Sequence, residues 1–201
     1  QMAASVWILR LLIQVPRDAA TMTPPLLIPL VGSLVASVPG ASLGFANLSW
    51  MLFGIGLILW FALLPLLVGR LAQGPELPLK LRPTLAIFLA PPAVASLAMV
   101  QLTGAVGPAS IALLGFAAFI ALVLVAMWRD LAAAPFSMAW WGVTFPSAAF
   151  TTAVMVYFRA VPLPSSAGLQ WALLVASTLL IGGVALRTAR VAAAGQLLRP
   201  E

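Results

Sequence analysis

Cysteine and histidine are both absent from this 201-residue chain. Without thiols there is no disulfide framework and no thiolate metal site, and without imidazole the commonest general base and metal ligand is missing. Acids are nearly as scarce. Asp18, Glu76, Asp130 and Glu201 are the whole set, and each falls outside or at the end of an apolar run. Metal-dependent hydrolysis, nucleophile–base dyads and intramembrane proton relays all need such groups within the site, so the sequence argues against an enzyme, and no metal or cofactor is expected.

What remains is overwhelmingly apolar. Hydrophobic residues make up 63% of the chain and charged ones only 7%, whereas a soluble domain is nearer half and a quarter. With a mean hydropathy of +1.14, the chain reads as an all-α integral membrane protein whose first partner is the lipid bilayer. Six runs are expected to span it as one transmembrane domain over 1–201: about 24–38, 48–68, 83–102, 110–128, 136–158 and 168–187. The opening stretch Gln1–Val15 is short and lacks the charged start and cleavage site of a signal peptide, so it reads as the tail of a helix.

Proline placement orders these spans. Pro29, then Pro91 and Pro92, then Pro146 fall inside the first, third and fifth, while the second, fourth and sixth carry none in the middle. An interior proline removes a backbone hydrogen bond and costs about 3 kcal/mol in water. Three such helices at similar depth predict a repeated two-helix unit, with a kinked inner member and a straight outer one. In the third span Pro91 and Pro92 should leave the carbonyls of Ile87 and Phe88 without helical donors, and in the fifth Pro146 should free that of Gly142. In lipid such groups need a neighbouring helix or a wet passage. Phe145 sits directly before Pro146, among Thr144, Ser147, Thr151 and Thr152. Its ring either plugs a narrow path or packs between helices, and the stretch alone leaves both open.

The formal charge is +6, yet the basic residues are scattered between spans instead of forming a stripe, so no nucleic-acid partner is expected. If the six spans alternate, Arg10, Arg17, Arg70, Lys80, Arg82, Arg129, Arg187, Arg190 and Arg199 share one face and Arg159 alone takes the other. The positive-inside rule makes the first face cytoplasmic, with the C-terminus on it. Asn47, Trp50, Trp140 and Trp141 lie near span ends and suit interface anchoring; Gly54, Gly56, Gly182 and Gly183 suit close helix packing.

The stretches LPLKLRPTLAIFLAPPAVASLAMV (77–100) and FSMAWWGVTFPSAAFTTAVMVYF (136–158), with TPPLLIPLVGSLVASVPG (23–40) and FGIGLILWFALLPLLVGRL (53–71), resemble the tellurite-resistance/dicarboxylate transporter family, which includes malic acid transport proteins and the slow-type anion channels of plant guard cells. The resemblance implies a ten-helix subunit of five hairpins around a central pore, assembled as a homotrimer in the bacterial inner membrane and passing small anions or dicarboxylates. It places a pore-occluding role on Phe145, and pore-lining or kink roles on Pro29, Phe88, Pro91, Pro92, Thr144, Pro146 and Thr152. Against that plan the chain carries the last six helices and part of a fourth. A proton-coupled dicarboxylate carrier and a non-conducting assembly subunit are the alternative expectations.

Overall fold

A computed structural model describes residues 1–15 and 18–195. Pro16 and Arg17 of the expected polar turn, and Arg199 and Glu201 of the tail, lie outside the described residues. Nine α-helices occur among the described residues: α1 (Met2–Gln14), α2 (Leu27–Val31), α3 (Ser33–Ser42), α4 (Ala46–Gln73), α5 (Ala90–Thr103), α6 (Pro108–Ala126), α7 (Trp128–Ala132), α8 (Thr144–Ala160) and α9 (Ser166–Ala193). Four 3-10 segments join them, at Ala19–Thr21, Pro24–Leu26, Leu79–Leu89 and Met138–Val143, and no strand is present among the described residues.

The helices form three inner–outer pairs. The α2–α3 passage packs on α4, α5 on α6, and α8 on α9, while α5 lies between α3 and α8 at the centre. Burial differs most in the second pair, where 67% of the apolar window of Leu79–Thr103 is enclosed by protein against 17% of that of Pro108–Ala126; in the first pair the inner and outer members are close, 33% and 28%, and the window in α9 is 11% enclosed. The outer helices turn Phe119, Leu122 and Val125 of α6 and Trp171 and Leu179 of α9 outward, as helices solvated by acyl chains must. The main core runs between Leu30 and Leu34 of the first pair, Trp60 and Leu67 of α4, and Ala93 and Ala95 of α5. Close approach of α3 and α4 depends on Gly56, where an added Cβ would stand 2.7 Å from the Ser33 hydroxyl and 2.9 Å from the Leu34 backbone nitrogen. Gly54, Gly182 and Gly183 face open space and bring no helices together among the described residues.

Inner and outer members alternate as the prolines predict, but the inner passages are built differently from simple kinks. Each enters through a 3-10 segment and changes to α-helix with prolines at the junction. In Leu79–Leu89 the donors that α-geometry would need at positions 91 and 92 do not exist, and tightening to i→i+3 bonding lets the Ile87 carbonyl accept the Ala90 N–H instead. Pro91 and Pro92 thereby fall in the first turn of α5, where a missing N–H is least costly. Met138–Val143 repeats the device: the Thr144 N–H donates to the Trp141 carbonyl, and Pro146 sits in the first turn of α8. Hydroxyls reinforce the tight turns, Thr84 Oγ1 donating to Leu81 O at 2.6 Å and Thr144 Oγ1 to Trp141 O at 2.8 Å. The first passage runs from 3-10 at Pro24–Leu26 into the five residues of α2, breaks at Gly32 and resumes as α3. At that break the Pro29 carbonyl accepts Gln1 Nε2 at 2.7 Å and Ser5 Oγ at 2.5 Å, so α1 satisfies it.

The outer members are continuous. Pro65 lies within α4 without ending it. By length and composition five passages suffice to cross a membrane: Pro24–Ser42, Ala46–Gln73, Leu79–Thr103, Pro108–Ala126 and Ser166–Ala193. The sixth expected span is divided into the 3-10 segment Met138–Val143 and the 17-residue α8, and is not among them.

Contacts bring Lys80, Arg82 and Arg187 to the 3-10 end. Ser137 Oγ donates to the Lys80 carbonyl at 3.2 Å, Arg187 stands 6.0 Å from the Phe136 ring centre, and Arg82 pairs with Glu76 at 3.3 Å. Arg70, in the last turn of α4, reaches Ala20 O from Nη2 at 3.5 Å, and its Nε and Nη1 are buried without partners among the described residues. Arg159 lies in the last turn of α8, at the opposite end.

Candidate functional site

The three inner passages line a partly open cavity of about 510 Å³. Leu27, Val31 and Val35 form one wall; Ile87, Ala90, Pro91 and Val94 form the second; Gly142, Phe145 and Pro146 form the third, with Gln1 at the margin. Its walls are apolar because aliphatic and proline residues fill the facing positions. No charged side chain lines it among the described residues. The indole of Trp141, at its edge, points its N–H away to Thr188 Oγ1 on α9 at 3.0 Å.

The 3-10 geometry places these walls. With three residues per turn, positions i and i+3 lie directly in line, so Thr84 and Ile87 share one edge of Leu79–Leu89. Both meet Gly142, where a Cβ would come within 3.4 Å of each, so the two 3-10 segments lie against one another across a glycine. The cavity opens immediately beyond, and the α-helical first turns of both passages border it: Ala90 and Pro91 on α5, Phe145 and Pro146 on α8. Both α-helices continue the 3-10 segments before them, so neither first turn is a free helix N-terminus. Few of their N–H groups are free. Ala90 and Thr144 donate back into the 3-10 segments, and Pro91, Pro92 and Pro146 have no N–H at all.

The residues marked out by sequence divide among several places. Phe145, 47% exposed, projects at the cavity with Pro91 and Pro146 beside it. Phe88 is buried in the main core and Pro92 is fully buried behind the wall. Thr144 is buried with its hydroxyl turned onto Trp141 O. Thr152 is exposed elsewhere on α8 and bonds its own helix at Ala148 O, 2.9 Å away. Pro29 gives its carbonyl to α1 and its ring does not line the cavity.

Residue-type reasoning passed over Val31, Val35, Ile87 and Val94, which make up much of the wall. Aliphatic side chains carry no chemical signature that separates wall from core. It also passed over Ser177 of α9, whose hydroxyl lies 2.7 Å from that of Thr151. A lone serine in an apolar run announces nothing until its partner on the next helix is known.

The SLAC1 family model, described as a voltage-dependent anion channel, matches residues 1–189. Relatives from Arabidopsis thaliana include the S-type anion channel SLAH2, 32% identical over 128 residues covering 64% of this chain and 25% of the relative. The guard cell S-type anion channel SLAC1 is 29% identical over 152 residues, 76% of this chain and 27% of that protein. The S-type anion channel SLAH1 is 29% identical over 175 residues, 86% of this chain and 45% of that protein. The chain thus spans between a quarter and somewhat under half of the length of these relatives.

Proposed function

Since the chain belongs to the SLAC1 family of voltage-dependent anion channels, we propose that it forms part of a pathway carrying small anions, dicarboxylates among them, through the bacterial inner membrane, with Phe145 as its gate. The observation that carries this reading is the apolar cavity bordered by the first turns of α5 and α8. No charged side chain lines the space among the described residues, and Pro91 and Pro146 on its wall have no N–H that would hold an anion in place. A passage without a deep binding site suits conduction, because a permeant ion must leave as readily as it enters. Phe145 narrows that space with a ring, and an apolar constriction of this kind blocks an ion by refusing it hydration. Displacement of the ring lets a partly dehydrated anion through.

In this reading the passage around Pro146 crosses the membrane as a sixth span. Six 3-10 residues at about 2.0 Å each and seventeen α-helical residues at about 1.5 Å each add to roughly 37 Å, more than a hydrocarbon core of about 30 Å. The 3-10 end, with its basic residues and the C-terminus, faces the cytoplasm, and the subunits assemble as homotrimers. The test is anion efflux from liposomes containing the purified chain, with chloride, nitrate and malate inside and a potassium ionophore to balance charge. Anion efflux above that of protein-free liposomes is expected. Efflux no faster than from protein-free liposomes, from protein that is folded and inserted, overturns the reading.

A further inference from the structure

Resting on the assignment of Phe145 as the gate, we propose that Thr151 and Ser177 are positioning residues, a hydroxyl lock between α8 and α9 that holds α8 in the rotation at which Phe145 faces the cavity. Thr151 Oγ1 lies 2.7 Å from Ser177 Oγ, and both residues are buried, 3% and 9% exposed. Two longer contacts frame the pair: Thr151 Oγ1 to Leu173 O at 3.5 Å and Ser177 Oγ to Ser147 O at 3.4 Å. Ser147 and Thr151 are one turn apart and share a face of α8. Phe145 precedes Ser147 by two residues, which at 100° per residue puts it on the far side, about 160° away. Any rotation of α8 that turns the ring off the cavity must therefore draw Thr151 away from Ser177.

Neighbouring hydroxyls show that this pairing is a choice of geometry and not a default. Thr152 and Thr178, one residue further along their helices, each bond the carbonyl four residues back, Ala148 O at 2.9 Å and Leu174 O at 2.8 Å. Thr151 and Ser177 reach across instead. On release they have the same fallback within their own helices, so the lock opens without stranding a polar group in lipid. Interhelical hydroxyl bonds of this kind shift an equilibrium by roughly three- to tenfold, enough to bias a gate and too little to freeze it.

The absence of native cysteine makes the test direct. In Phe145→Cys the introduced thiol is the sole one, and its rate of reaction with a charged methanethiosulfonate reports how fully position 145 faces the cavity. Adding Thr151→Val or Ser177→Ala is expected to slow labelling about threefold or more, the two together no more than either alone, while Thr151→Ser and the control Thr178→Val leave the rate unchanged. With Phe145 present, Thr151→Val is expected to raise anion flux, and on a Phe145→Ala background to do nothing. Unchanged labelling in both Thr151→Val and Ser177→Ala overturns the lock, as does equal slowing by Thr151→Ser. Labelling reads the rotation of α8 whether or not ions flow, so failure of the lock and failure of anion conduction are separate results.

Discussion

Truncation of Phe145 is the sharpest perturbation. The ring is 47% exposed, so about half of its surface is packed against the cavity wall. Full burial of such a side chain is worth about 1.5–3 kcal/mol, and half of that, about 0.75–1.5 kcal/mol, is the contact energy that favours the ring lying across the path. Removing it shifts the closed–open balance by roughly three- to thirteenfold. Phe145→Ala should accordingly speed anion efflux from liposomes by about that factor at equal protein density. Phe145→Leu, which keeps an apolar side chain but loses the plane of the ring, should fall between. Stability should drop by less than the about 3–5 kcal/mol of a fully buried Phe→Ala change, because half the ring already faces open space. Efflux unchanged in Phe145→Ala, with thermal unfolding showing an intact fold, would refute the gate and return Phe145 to packing.

Three further outcomes follow from packing and charge. Gly56→Ala should destabilise the purified protein by about 1–3 kcal/mol, since its Cβ would meet Ser33 and the Leu34 backbone, whereas Gly54→Ala, with nothing in reach, should be neutral or slightly stabilising; equal melting temperatures for the two would contradict the α3–α4 contact. Arg70 is 7% exposed with two guanidinium nitrogens unpartnered among the described residues, so Arg70→Met should leave the melting temperature unchanged or raise it, and a fall of more than about 4 °C would show a partner beyond Ala20 O. A cysteine placed at Arg190 should react with an impermeant thiol reagent only from the cytoplasmic side of inverted vesicles, and one at Arg159 only from the other; the reverse pattern would invert the proposed orientation.

The alternation of inner and outer helices was legible because prolines are visible one at a time in a sequence, and their spacing alone separates enclosed passages from lipid-facing ones. How the chain accommodates them was not. A proline inside an apolar run predicts a lost hydrogen bond, but whether the helix kinks or tightens into 3-10 geometry depends on what packs beside it, here Gly142 against Thr84 and Ile87 from a segment some sixty residues distant. The same reason divides the site. Phe145, Pro91 and Pro146 border the cavity, whereas Phe88, one residue on from Ile87, is turned about 120° from it and lies in the core. Ser177 and the aliphatic wall became identifiable only through neighbours on other helices.

The 3-10 entry of α5 has a mechanical side. A residue in 3-10 geometry advances about 2.0 Å and turns about 120°, one in α-geometry about 1.5 Å and 100°. Moving the junction by a single residue therefore shortens the passage by about half an ångström and twists everything beyond it by about 20°. Leu79–Leu89 holds eleven such residues, so the length of this entry and the angular position of the Pro91 wall are tied to one another by geometry.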